Sequence, residues 1–323
     1  MNLMKIGILG YGNLGKGVEI AVQEADDMEL VGVYTRRNPM DIQPMFLDTK
    51  VYSSLELEKH QDIDVLILCG GSANDLPWQT PKYAEMYHVV DSFDHHEMIP
   101  AHFNSVDQAA RNGEHVALIS CGWDPGLFSL IRYLLTAVLP EGKSYTLWGK
   151  GISQGHSDAI RRIDGVKDGR QYTIPIESAL AEIMQGKNLH MENHKLHRRE
   201  CFVVAEEWAN LQEIEKEIKA IPDYFDGYDT VVNFITQDEL NQQHKAFPHG
   251  GRVIRHGKTG TKKENYASGS FQLKLDSNPE FTAKVMTAYA RAVYRLSQER
   301  QFGCKTVYDI PVSYLALGMF IEM

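Results

Sequence analysis

Three glycines near the start of the chain have the spacing that cradles a phosphate. Gly10, Gly12 and Gly15 form G-x-G-x-x-G, with Tyr11, Asn13 and Leu14 between them. In that pattern the first glycine makes a tight turn and the second lets a pyrophosphate approach the backbone. The third lets a helix pack on a strand, and the helix N-terminus faces the phosphates. A dinucleotide site selective for ribose hydroxyls places Asp or Glu about 20 residues further on. This chain has Thr35, Arg36 and Arg37 at that point. A hydroxyl and two guanidinium groups suit a 2′-phosphate, because Arg offers charge and several donors in a fixed fork. The expected cofactor is therefore NADP(H) rather than NAD. Away from the fingerprint, the same arginines would read as a solvated pair.

The elements around the glycines supply the context that gives this pattern meaning. Ile6, Ile8 and Leu9 predict a short strand, and Leu14, Val18, Ala21, Val22 and Ala25 fall on one helical face. A second strand runs from Glu29 to Arg37. Residues 51–59 predict a short strand and turn. Asp64–Cys69 is a continuous apolar strand of the kind buried in a parallel sheet, ending in Gly70, Gly71 and Ser72. A helix over 81–87 and a strand over 88–93 follow, with Asp94, His95 and His96 at its end. A further helix over 98–112 and a strand over 114–120 complete the alternation. This is the pattern of a doubly wound parallel sheet, whose ligands sit at the carboxyl ends of its strands. Residues 10–15, 35–37, 69–73, 92–96 and 121–125 should line one crevice. Asp124, before Pro125, reads equally as a ligand or as a helix cap.

Cys121-Gly-Trp-Asp-Pro-Gly126 ends the alternation and marks the domain crossing. A helix is expected over 127–138. Strands over 144–148, 171–176, 200–205, 230–236, 252–256 and 270–275 then mix with helices over 210–221 and 279–298. That half reads as an α+β domain with a mainly antiparallel sheet. His190, His194 and His197 share helical spacing, but His190-Met-Glu-Asn-His194 is not H-E-x-x-H. A solvated polar segment is expected there, and no metal site.

The bulk composition agrees. A chain of 323 residues is long enough for two domains, and a net charge of −10 argues against a nucleic-acid partner. Four cysteines without C-x-x-C spacing suggest a reducing compartment and no structural zinc. No apolar run approaches membrane-spanning length and the N-terminus does not read as a signal peptide, so a cytoplasmic metabolic enzyme is expected.

Taken together, several strings resemble one family. They are Gly10-Tyr-Gly-Asn-Leu-Gly15, Thr35-Arg-Arg37, Gly122-Trp-Asp-Pro-Gly126, Ser153-Gln-Gly-His-Ser-Asp-Ala159, Gln171-Tyr-Thr173, Cys201-Phe-Val-Val204, Pro222-Asp-Tyr-Phe225, Pro248-His-Gly-Gly251 and Leu275-Asp-Ser-Asn-Pro279. The chain resembles the meso-diaminopimelate dehydrogenases from its first strand to about residue 311. The resemblance implies an NADP-dependent amino-acid dehydrogenase of lysine and cell-wall precursor metabolism, acting as a homodimer. The reaction is reversible deamination of the D-centre of meso-2,6-diaminopimelate to L-2-amino-6-oxopimelate and ammonia. It also implies a Rossmann domain over 1–122, a substrate and dimerisation domain over 123–301, and a tail over 302–323 returning to the first domain.

On the same basis Tyr11–Leu14, Thr35–Arg37, Cys69–Ser72, Ser92, Phe93, Asp94 and Cys121–Pro125 contact the cofactor. Asp94, Asp124, Trp148, Gln154, Gly155, Thr173, Arg199, His249 and Asn278 contact substrate, with Trp123 and Asp158 near the reacting centre. The substrate's charges explain such a set. Arg199, Thr173 and His249 could hold the distal carboxylate. Asp94 and Asp124 could hold the reacting amine, and either could be the general base. Trp123 and Trp148 would be walls. Read singly, Trp148 fits a core position, Arg199 beside Arg198 a solvated charge, and His249 a turn. Two other functions share the plan: a reductase like dihydrodipicolinate reductase, and a non-catalytic NADP-binding sensor.

Overall fold

The computed structural model describes residues 3–186, 193–222 and 224–317. His190, and with it part of the histidine spacing noted above, lies outside the described residues, as do Asp223 and the tail after Leu317. Residues divide into two compact units, Met1–Leu130 with Pro279–Met323, and Ile131–Asn278.

The first unit starts with β1 (Met4–Leu9), α1 (Asn13–Gln23), β2 (Met28–Thr35), β3 (Val51–Ser53) and β4 (Val65–Leu68). It continues through α2 (Leu76–Ala84), β5 (His88–Asp91), α3 (Ile99–Asn112) and β6 (Val116–Leu118) to α4 (Leu127–Val138), within which the chain passes to the second unit. Helix α2 begins earlier than the predicted 81–87. Pro77 sits in its first turn, where a missing N–H costs nothing, and Pro81 lies inside it.

The second unit contains β7 (Lys143–Trp148), β8 (Gly151–Ile152), α5 (Gln154–Arg161), β9 (Val166–Pro175), α6 (Glu177–Met184), β10 (His197–Ala205), α7 (Leu211–Ala220), β11 (Asp229–Phe234), α8 (Gln237–Gln243), β12 (His249–Thr259) and β13 (Asn265–Leu275). The chain ends with α9 (Asn278–Gln298) and β14 (Gly303–Lys305).

The first unit is built on a seven-stranded parallel sheet in the order β14-β6-β5-β4-β1-β2-β3. Strand alternation sends Ile6, Ile8, Val65 and Ile67 to one face and Leu9, Leu66 and Leu68 to the other. Helices α1 and α9 cover the first face through Val18, Val22, Met286, Ala290 and Val293. Helices α2 and α3 cover the second through Leu76, Tyr83, Val106 and Ala110. Covering on both faces is why these strands read as unbroken apolar runs. The expected division gave residues 279–298 to the second domain, whereas α9 belongs to the first unit. Its Arg291 makes a two-pronged pair with Asp27, at 2.6 and 2.9 Å, beside the turn that enters β2.

The second unit has two sheets. One runs β11-β10-β9-β8, antiparallel except for the parallel β10–β11 pair, and the other is the antiparallel β13-β12-β7. Helix α7 is capped by the Asn210 side chain and buries Ile214 and Ile218 against Cys201, Val203 and Phe225.

Candidate active site

In the first unit, β1 passes into α1 through the glycine turn. Gly10 has φ +96°, and a Cβ there would lie 3.2 Å from the Cys69 carbonyl. At Gly15 a Cβ would fall 2.2 Å from the Gly10 oxygen, so close packing of helix on turn demands glycine. Gly12 differs, because a Cβ there meets nothing within 4 Å. The fold leaves room at Gly12, the N-cap of α1, and no side chain caps the helix. Open space beside uncapped helical N–H groups fits a pyrophosphate.

Two adjoining clefts of about 330 and 290 Å³ share Tyr11, Gly12 and Arg37. Arg36 and Arg37 follow the end of β2. Arg37 donates through its guanidinium to the Tyr11 carbonyl and through its N–H to Thr35 Oγ1 at 3.1 Å. Arg36 pairs with Asp75 at 2.7 Å, and Asp75 also accepts the Gly71 N–H at 3.0 Å. The expected 2′-phosphate donors thus stand beside the glycine turn and the loop after β4. Burial and the neighbouring Glu19 push the Tyr11 phenol up. The fully buried Glu19 accepts from Tyr11 and from the N–H groups of Met45 and Phe46 at 3.1 and 3.2 Å. This anchors residues 45–46 next to the cleft. Lys16 and Gln43 line it too. Sequence reading passed over both, although Lys16 lies directly after the third glycine.

The carboxyl ends of β5 and β6 meet through one residue that sequence reading also missed. Asp91 is wholly buried. Its Oδ1 accepts the N–H groups of Phe93 at 3.0 Å and Ser120 at 2.9 Å. Its Oδ2 accepts from Thr80 Oγ1 at 2.7 Å and His102 Nε2 at 2.8 Å. Ser120 holds a left-handed φ of +56°, a costly conformation for a residue with a side chain. Asp91 thereby ties the stretch leading to Asp94 to the stretch leading to Cys121. Asp94 is exposed, and its N–H donates to Ser72 Oγ at 3.1 Å. Asp124 lies in a tight loop closed by Gly126, whose φ is +127° and whose Cβ would stand 1.9 Å from the Gly122 oxygen. Trp123 is buried edge-on against Phe128, with ring centroids 5.1 Å apart.

In the second unit, β9 and β10 put a polar set on one buried face. Thr173 lies opposite Arg199 in the ladder, and Gln171 opposite Cys201. Arg199 is only 7% exposed, not the solvated charge that its neighbour Arg198 suggests. Its Nη1 donates to Thr173 Oγ1 at 2.6 Å, its guanidinium lies 4.0 Å from the Tyr228 ring centroid, and its Nε is buried without a partner. Burial pulls its pKa down. A buried guanidinium served by a hydroxyl and a phenol is equipped to receive a carboxylate. Gln171 Nε2 also donates to Thr173, at 3.3 Å, and Gln171 Oε1 is buried and unpartnered. His249 begins β12, and its Nδ1 takes the Gly250 N–H at 2.8 Å. A Cβ at Gly151 of β8 would lie 2.4 Å from the His249 Cα, and Gly151 faces Thr173. His249 therefore stands within two strands of Thr173.

Trp148 ends β7, its N–H donating to His197 Nε2 at 2.8 Å. His197 is a buried strand residue, 1% exposed, which corrects the solvated segment expected for it. Gln154 and Gly155 open α5 and are exposed. Asp158 pairs along its own helix with Arg161 at 3.6 Å and with Arg162. Asn278 is the first residue of α9, its N–H donating to the Phe247 carbonyl at 2.8 Å. Gln171 and His197 were legible in principle, because Gln171-Tyr-Thr173 and His197-Arg-Arg199 show the period of a two-faced strand.

Burial pushes all four thiols up, Cys201 to about 12. Among the described residues no group of three His, Cys, Asp or Glu side chains could hold a metal ion. No helix of the described residues is long and apolar enough to cross a membrane.

Comparison with known proteins places this geometry. Residues 122–277 match the model of the diaminopimelic acid dehydrogenase C-terminal domain. The chain is 54% identical to the meso-diaminopimelate D-dehydrogenase of Acetivibrio thermocellus, over 97% of this chain and 94% of that protein. The structure of the C. glutamicum DAP dehydrogenase in complex with DAP superposes with a TM-score of 0.93 at 42% identity, covering 99% of this chain and 97% of the other. An engineered D-amino acid dehydrogenase bound to NADP+ superposes with a TM-score of 0.89 at 40% identity, covering 99% and 98%. The chain belongs to the meso-diaminopimelate D-dehydrogenase family.

Proposed function

We propose that the chain oxidatively deaminates the D-centre of meso-2,6-diaminopimelate, with NADP+, to L-2-amino-6-oxopimelate and ammonia. The observation that carries the substrate class is the buried Arg199–Thr173 pair, a built receptor for a carboxylate. When bound, NADP+ supplies the hydride acceptor. The glycine turn would hold its pyrophosphate, and Arg36 and Arg37 its 2′-phosphate; NADP+ in the engineered relative supports this.

The residues divide the remaining work. Asp94 and Asp124 hold the reacting ammonium and take its proton, so that nitrogen carries a lone pair as hydride leaves the carbon. The imine so formed adds water, for which a carboxylate again serves as base, and ammonia departs. Arg199, Thr173 and His249 hold the distal carboxylate, fixing which carbon reacts. Trp123, Trp148, Gln154, Gly155 and Asn278 are further substrate contacts in this reading.

We also propose a homodimer made by the second unit, supported by exposed Tyr133, Leu134 and Val138 on α4. The test of function is NADP+ reduction with the meso, LL and DD isomers. Turnover of the meso isomer but not of the LL isomer supports the D-centre assignment. Cofactor binding without turnover would identify a sensor, and carbonyl reduction without ammonia a reductase.

A further inference from the structure

His156 lies on α5, between Gln154 and Asp158, and no role above uses it. Its environment is nonetheless specific. Ser153 Oγ accepts the His156 backbone N–H at 3.4 Å and stands 2.6 Å from the ring Nδ1. With Ser153 Oγ as the donor to Nδ1, the ring proton sits on Nε2. Nε2 is buried and has no hydrogen-bond partner. Edge-on contacts with Tyr224 and Phe225, at centroid separations of 4.8 and 5.7 Å, fix the ring plane. Burial, then the positive field of Arg199, then His249 pull its pKa down to about 3, so the ring is neutral at working pH.

Two buried nitrogens without a hydrogen-bond partner, Arg199 Nε and His156 Nε2, belong to side chains of the second unit that feel each other's field. A buried donor without an acceptor is costly, and one incoming anion relieves both. We propose that His156 is a further carboxylate ligand of the substrate's distal end, its Nε2–H donating beside the Arg199 guanidinium, with Ser153 as the positioning residue that selects the tautomer. This rests on the proposed assignment of Arg199 to the distal carboxylate. A neutral donor is the group that fits here. It adds a hydrogen bond without placing a second full cation against Arg199.

The experiment compares His156→Leu, His156→Gln and Arg199→Met on meso-diaminopimelate and on D-norleucine, which has no distal carboxylate. The expected result for His156→Leu is a KM for meso-diaminopimelate raised on the order of tenfold, with kcat much less affected, as for one lost hydrogen bond to a charged group. The ratio of kcat/KM for meso-diaminopimelate over D-norleucine should fall by a similar factor, and His156→Gln, which restores a donor, should recover part of it. A purely structural role would lower both substrates together and leave the ratio fixed, which overturns the proposal. An unchanged ratio in His156→Leu with a collapsed one in Arg199→Met overturns the role of His156 alone. Ratios unchanged in both variants overturn the distal-carboxylate reading itself.

Discussion

The dinucleotide cradle of the first unit and the polar face of the second are built from opposite materials. The cradle is made of backbone: glycines at a turn, an uncapped helix end, and two arginines that need only follow a strand. The polar face is made of side chains from separate segments, buried and mutually bonded, with Thr173 at its centre. A backbone site recognises what every dinucleotide shares. A side-chain site recognises what one substrate has and its relatives lack. Substitutions in the two should therefore fail in different ways.

The largest effect is expected where selectivity is concentrated. Arg199→Met with Thr173→Ile and His249→Asn should lower kcat/KM for meso-diaminopimelate by on the order of a hundredfold or more. Leaving a buried charge unpaired costs roughly 3–5 kcal/mol. The same variant should gain activity on apolar D-amino acids, since the penalty for their missing carboxylate is removed. Asp94→Asn and Asp124→Asn should instead impair all substrates alike. A proportional loss of both activities in the triple variant would abolish the contrast.

Next come the arginines. Arg36→Ala with Arg37→Ala should raise the KM for NADP+ by roughly ten- to a hundredfold, as expected for lost charge-assisted bonds, and change that for NAD+ far less. Equal use of both cofactors by the unmodified protein would contradict the 2′-phosphate assignment.

The glycines separate fold from ligand. Gly15→Ala drives a methyl into the Gly10 carbonyl and should lower both melting temperature and cofactor affinity. Gly12→Ala meets no protein atom and should weaken NADP+ binding, by about tenfold or more, at nearly constant melting temperature. Calorimetry with and without NADP+ distinguishes them.

The smallest effect is one of acid stability. Burial, reinforced by His115, pulls His88 down to about 4, and its Nδ1 accepts the Val116 N–H at 2.9 Å. The unfolded chain protonates this histidine near pH 6.5. Its neutral burial should therefore contribute fully above that pH and be lost as pH falls towards 4. Melting temperature should drop by a few degrees over that window, and His88→Asn, which keeps an acceptor, should flatten the slope.

The same division explains what could be read in advance. Glycine spacing and apolar strands are local, so the parallel sheet and the glycine turn were legible in residues 4–125. Arg199 and Thr173 are 26 residues apart in sequence and meet only through strand register. Spacing alone leaves Arg199 looking like a solvated charge, and only the resemblance marked it. Asp91 escaped notice because one acid at a strand end announces nothing until His102, Thr80 and Ser120 are brought around it. Asp158 was marked only by its motif, and what the structure adds is its pairing with Arg161 and Arg162 at helical spacing.

Helix α9 has a consequence for the order of events at the ribosome. The core beneath β1 and α1 includes Met286, Ala290 and Val293 from the far end of the chain. The nascent first unit must hold that apolar face open until nearly the whole polypeptide has emerged, while residues 131–278 are contiguous and can fold first. Shortening the chain before α9 would leave one face of the cradle's sheet covered by α1 alone, and the truncated product would be a client for chaperones rather than a smaller enzyme.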